Sequence, residues 1–209
     1  MEEYLSEKEQ WERLLAGLRE QGPWMLAAVA VVAAGFGGWH YWQARSEQHS
    51  LAAAARYNQA LEAFSRNDLN GGMKIADDLV EHFSGTAYGD QADLAAARVQ
   101  AENQQLDQAA ARLTHVLQST ADPGLALIAR LRLARVQIAQ GKPDEAIKTV
   151  DAVDAGTFAA RYAELRGDAL LAKGDRAGAL KQYRSARANG GETVDPELLD
   201  LKIGELARS

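Results

Sequence analysis

Four histidines, His40, His49, His82 and His115, are the side chains of this 209-residue chain best suited to hold a metal or move a proton near neutral pH. Their spacing argues against both roles. They fall in different predicted helices, and none has a partner at the short separations that metal sites use. The chain contains no cysteine, which removes thiolate ligands, disulfides, cysteine nucleophiles and a lipid-modified N-terminal cysteine in one step. It leaves the compartment open, because a cysteine-free chain suits oxidising and reducing surroundings alike. Gly35-Phe36-Gly37-Gly38 is glycine-rich but lacks the lysine of a phosphate-binding loop. Asp77-Asp78 and Glu102 read as solvated helix faces. No Gly-x-Ser-x-Gly or His-Glu-x-x-His motif occurs. These residues do not add up to a catalytic constellation, so no enzyme activity, cofactor or metal is expected.

The elements around them are more informative. No Asp, Glu, Lys or Arg lies between Glu20 and Arg45. Helical geometry lets about 20 residues cover the roughly 30 Å hydrocarbon core of a bilayer. Trp24 stands at one end of this run and Trp39, Tyr41 and Trp42 at the other, the depth at which amphipathic rings settle into headgroups. A cleavable signal peptide needs a basic start and a small-x-small site beyond the apolar core. The first 20 residues are net acidic, and GWHYWQARS follows the core. A buried helix of a soluble protein would rarely avoid charge for so long. Residues 23–44 are therefore expected to be an uncleaved transmembrane helix. Its centre is rich in Ala and Gly, with Leu26, Val29, Val31, Val32 and Phe36 supplying most of the apolar drive. Ala30, Ala34 and Gly38 recur every fourth residue, as do Ala33 and Gly37. They are either a seam for close approach of another helix or incidental small residues in a plain anchor.

Residues 1–22 form an expected amphipathic tail. Ser6 and Glu9 have capping-box spacing, Trp11, Leu14, Leu15 and Leu18 share one stripe, and Gly22-Pro23 ends it. Such a stripe could lie on a membrane surface, pack on a partner or remain a loosely ordered tail. Lys8, Arg13 and Arg19 precede the apolar run, against Arg45 and Arg56 after it, a small excess that favours an N-terminus inside. Net charge is −6 with no long basic run, which disfavours nucleic acid as a ligand.

Residues 45–209 suffice for one domain with a real core, and 47% apolar with 25% charged residues is globular composition. No run alternates with period two; every periodic segment is helical, so the domain is all α. Helices are expected over 45–66, 73–83, 87–103, 106–119, 125–140, 144–153, 158–173 and 176–189, with a last one from about Pro196 capped by Asp195. Asn70-Gly71-Gly72 is expected to be a turn. The helices pair, and the pairs repeat. The segment from Leu133 aligns with that from Arg166 without a gap at an offset of 33. Ala134 meets Gly167, Gly141 meets Gly174, Ala146 meets Ala179, and Val150 meets Tyr183. An earlier unit with Ala97, Ala109 and Leu113 fits at an offset of 37, and residues 55–83 form a degenerate first unit. Small residue, Gly seven on, Ala five after that: this pattern resembles the tetratricopeptide repeat. Stacked hairpins of that kind bind polypeptide on the face lined by their first helices. Arg98, Arg135 and Asp168 hold matching positions on that face, with Gln91, Glu102, Ile128, Leu131, Ile138, Arg161 and Glu164 nearby. They read as a mixed-charge protein-binding groove, or as exposed ion pairs between repeats worth about 0–1 kcal/mol each.

Taken whole, the chain resembles the YfgM-like ancillary subunits of the bacterial Sec translocon. The likeness rests on the acidic tail, the Ala/Gly-rich run ending in Gly38-Trp39 and Tyr41-Trp42, the blocks Leu131–Gln137 and Leu165–Asp175, and their order. It implies a single-pass inner-membrane protein with a cytoplasmic N-terminus and a periplasmic repeat domain. It implies association with the SecYEG translocon and with a membrane-anchored parvulin-type periplasmic chaperone. The implied role is hand-over of unfolded secretory polypeptides to periplasmic folding factors, by tethering rather than catalysis. The alternative is a membrane-tethered scaffold or negative regulator docking a folded envelope stress-response partner.

Overall fold

The structure, a computed structural model, describes residues 7–84 and 86–208; for 7–23, 25–27 and Glu192 it describes the backbone alone. The chain divides into two compact units between His49 and Ser50, a division that falls within α1 (Glu7–Ser65).

In the first unit, Trp24 and all of residues 28–49 are exposed. That surface includes Val31, Val32, Phe36, Trp39 and Trp42, each more than three-fifths accessible. Ala30, Ala34 and Gly38 are exposed with them, and a Cβ built on Gly35, Gly37 or Gly38 would meet nothing within 4 Å. Among the described residues no helix is long and apolar enough to cross a membrane. The run is diluted by Ala and Gly and by the polar His40 and Gln43 near its end. Met25, Leu26 and the Trp11–Leu18 stripe lie outside the described side chains.

The second unit is all helical among its described residues. The end of α1 is followed by α2 (Leu69–His82), α3 (Ala87–Glu102), α4 (Leu106–Ser119), α5 (Pro123–Ala139), α6 (Pro143–Asp151), α7 (Ala159–Ala172), α8 (Arg176–Asn189) and α9 (Pro196–Ala207). Short 3-10 turns cover Gly156–Phe158 and Gly191–Thr193. Consecutive helices from α2 to α9 pack on one another, and α3, α5 and α7 also touch in series. The first helices of successive hairpins thus share one face, as a stack of antiparallel pairs requires.

The four hairpins turn in the same way. Asn67, Gln104, Gly141 and Gly174 all have positive φ, at 61°, 62°, 75° and 91°. After each, the next amide donates to a carbonyl five residues back: Asp68 to Ala63, Gln105 to Gln100, Lys142 to Gln137 and Asp175 to Leu170. This is the left-handed cap that satisfies a helix's last carbonyls, and glycine is the residue that adopts it freely. Asparagine tolerates the conformation; glutamine carries its full Cβ penalty. Gln104→Gly is therefore expected to stabilise the domain by about 0.5–1 kcal/mol, measured as a raised urea midpoint at unchanged slope.

The same frame runs through the core. Ala60, Ala97, Ala134 and Gly167 are buried in the first helices, as are Gly72, Ala109, Ala146 and Ala179 in the second. The first and last hairpins differ in a compensating way. A Cβ on Gly72 would sit 2.4 Å from the Phe64 ring, and one on Gly167 would sit 2.5 Å from the Tyr183 ring. Each glycine makes room for an aromatic that the two alanine-lined hairpins lack. This corrects the expected turn at Asn70-Gly71-Gly72: these residues form the first turn of α2. Asp68 caps it by accepting from the Gly71 amide at 2.9 Å, so the glycines serve close packing instead of chain reversal. Asp175 caps α8 in the same manner, and Asp122 and Asp195 cap α5 and α9, each before a proline at the first turn.

Four apolar clusters follow one another along the stack. They centre on Ala76 and Leu79, then Leu113 and Val116, then Leu165 and Val150, then Tyr183 and Leu199.

Candidate protein-binding trough

The shared face of the first helices carries an open trough. Its larger part encloses about 540 Å³ between the end of α1, α3 and α5. Tyr57, Leu61 and Phe64 form one wall; Leu94, Leu125 and Ile128 form the other. Gln91 and Ser65 add polar edges. A second hollow of about 340 Å³ adjoins it and shares Arg98, Glu102 and Arg132 with it. Arg135 completes the far end.

The repeat frame places these groups. Leu61, Arg98, Arg135 and Asp168 are equivalent, as are Tyr57, Leu94, Leu131 and Glu164. Leu61 in the first hairpin thus stands where all three later hairpins carry charge, whereas at the Tyr57 position only the last hairpin does. Arg98 donates through Nε to Glu102 Oε1 at 2.7 Å, one helical turn on. Arg132 donates to the Leu94 carbonyl at 3.0 Å. Burial lowers the Arg132 guanidinium from its ordinary value, and nearby Arg98 and Arg135 add to this, against an opposing pull from Tyr57.

Of the expected groove residues, Gln91, Arg98, Glu102, Ile128 and Arg135 converge on the trough. Leu131 is only 6% exposed and packs in the core beside Leu165, with Ile138 half-buried against the same cluster. Arg161 is exposed on α7. Glu164 and Asp168 are covered by α9, whose Lys202 Nζ reaches them at 2.9 and 2.7 Å. Burial alone would lower that ammonium, but the bonds to Asp168 and Glu164 outweigh it and hold Lys202 above its ordinary value. Asp168 also accepts from the Tyr183 hydroxyl at 2.8 Å. Two ends result: an open basic one over α3 and α5, and an acidic one on α7 whose two carboxylates share Lys202. Tyr57, Leu61, Phe64 and Arg132 were not among the expected residues. Extending the repeat offset back to residues 55–83 would have found Leu61 opposite Arg98.

A second charged cluster lies on the α2–α4 side. Asp93, with a side chain 3% exposed, accepts from Arg112 Nη1 and contacts His115 Nδ1, both at 2.7 Å. Arg112 Nη2 reaches Asp77 at 2.6 Å. The groups close on one another and tie three helices together. Among the described residues no group of three or more His, Cys, Asp or Glu could hold a metal ion.

A tetratricopeptide repeat-like domain family matches residues 18–208. An ancillary SecYEG translocon subunit of Escherichia coli strain K12 is 31% identical over 99% of this chain and 100% of its own length. The chain belongs to that family. A subunit of the same name from Haemophilus influenzae is 29% identical over 97% of this chain and 98% of its own, and one from Neisseria gonorrhoeae is 26% identical over 99% and 100%. For the tetratricopeptide-like fold, the TPR-like repeats of a Podosopora anserina kinesin light chain variant superpose with a TM-score of 0.60. That match has 16% identity and covers 77% of this chain and 87% of that one. MamA from Desulfovibrio magneticus RS-1 gives 0.54 at 13% identity, over 75% and 93%.

Proposed function

We propose that this chain is a non-enzymatic accessory of the SecYEG translocon. Residues 23–44 anchor it in the bacterial inner membrane with the N-terminus cytoplasmic, and the repeat domain works in the periplasm. There the trough receives unfolded secretory polypeptides at the channel exit and assists their hand-over to periplasmic chaperones, including a membrane-anchored parvulin-type partner. The observation that carries the reading is the full-length similarity to ancillary translocon subunits. An open, half-apolar trough and a helix clothed in exposed Val, Phe and Trp support it. Tethering supplies the mechanism: fixing a weak binding surface near the exit raises its effective concentration over the emerging chain without demanding tight contacts.

The reading is tested with the full chain. Alkaline carbonate is expected to leave it in the membrane pellet, and protease added to spheroplasts is expected to digest the repeat domain. The detergent-solubilised protein should slow aggregation of an unfolded secretory client. Release by carbonate contradicts the anchor. Extraction-resistance without any effect on aggregation points instead to a scaffold for a folded envelope stress-response partner.

A further inference from the structure

Among the described residues the trough holds more positive charge than its lining carboxylate offsets. Arg98, Arg132 and Arg135 line it against the single carboxylate of Glu102. Glu102 is taken by Arg98. Arg132 is half-buried, and its described hydrogen bond goes to a neutral carbonyl. Arg135 is exposed beside it. The acidic residues at the equivalent level of α7, Glu164 and Asp168, turn to Lys202 of α9 and do not line the trough. Guanidinium groups gathered in a partly desolvated hollow repel one another, and an anion seated among them relieves that repulsion. Burial is the main reason the Arg132 guanidinium lies below its ordinary value, and Arg98 and Arg135 add to it. Immediately next to the arginines lies an apolar wall of Leu61, Phe64, Leu94 and Ile128.

We propose that the trough selects polypeptide segments in which an acidic side chain adjoins a bulky apolar residue. The apolar residue enters between the end of α1 and helices α3 and α5. The carboxylate reaches Arg132 and Arg135, whose planar forks suit two-point hydrogen bonding to it. A segment with lysine in place of the acid meets the same wall but is repelled by the arginines. The inference rests on the protein-binding reading above and adds what the site prefers.

Three fluorescein-labelled peptides of equal length test it, identical except for Glu, Gln or Lys beside a central tryptophan. Anisotropy with the detergent-solubilised full chain is expected to rank them Glu, Gln, Lys, with the Glu peptide roughly tenfold tighter than the Gln peptide. The advantage should shrink as ionic strength rises. Arg132→Glu with Arg135→Glu should invert the order, and Arg135→Glu alone, at an exposed site, should narrow it with the fold intact by circular dichroism. Equal binding of all three peptides overturns the acidic preference while leaving a protein-binding trough. No binding of any peptide overturns the trough itself, and the preference with it.

Discussion

Arg112→Ala is expected to destabilise the repeat domain by about 3–5 kcal/mol, because it strands a buried charge. Asp93 is 3% exposed in its side chain, and Arg112 both neutralises it and carries the link on to Asp77 across α2, α3 and α4. His115 remains at 2.7 Å, but it is half exposed and reaches only the other Asp93 oxygen. Removing the guanidinium leaves that carboxylate in the interior without its main counter-charge. Removing both charges is a different matter. Asp93→Leu with Arg112→Met replaces the pair by apolar volume and should cost far less than Arg112→Ala alone. Urea unfolding of the three proteins measures this. An Arg112→Ala loss below about 1 kcal/mol would show that the network contributes little.

Tyr183→Ala is expected to cost a similar amount, about 3–5 kcal/mol, by opening a cavity at the last hairpin. The ring is 1% exposed and lies where a Cβ on Gly167 would have to be. Its hydroxyl bonds to Asp168, so Tyr183→Phe should lose only about 1 kcal/mol. The neighbouring hairpin solves the same packing problem with Ala134 and Val150. Importing that solution, Gly167→Ala with Tyr183→Val, should recover much of the loss caused by Tyr183→Ala. If the double variant is no better than Tyr183→Ala, the glycine and tyrosine are not a matched pair.

What the sequence made legible follows from these contacts. The hairpin frame was readable because Gly141 and Gly174 mark left-handed turns and Ala146 and Ala179 mark close helix crossings. The first hairpin was obscured because Asn67 holds the turn and Gly72 the crossing, so the usual letters are displaced. Gly71 and Gly72 imitate a loop in one dimension; only the approach of Phe64 and the Asp68 cap reveal a helix start. Pro123 and Pro143 shifted two helix starts earlier for the same reason: proline fits a first turn, where its missing N–H is not needed. The trough was half legible. Arg98 and Arg135 share a repeat position and were found, whereas Arg132 lies off that position and Tyr57 and Phe64 belong to the degenerate unit. That Lys202 would close over Glu164 and Asp168 depends on how α9 folds back, which no spacing encodes.

The account depends on a polypeptide-binding trough being held at the translocon, and crosslinking in living cells tests that most directly. A photoreactive residue would be placed at Trp39 or at Arg135 of the full chain. The account predicts adducts with translocon subunits from Trp39, and adducts with newly exported polypeptides from Arg135 that vanish when export is blocked. Adducts from Arg135 that persist unchanged under the block, or none with the translocon from Trp39, would contradict it.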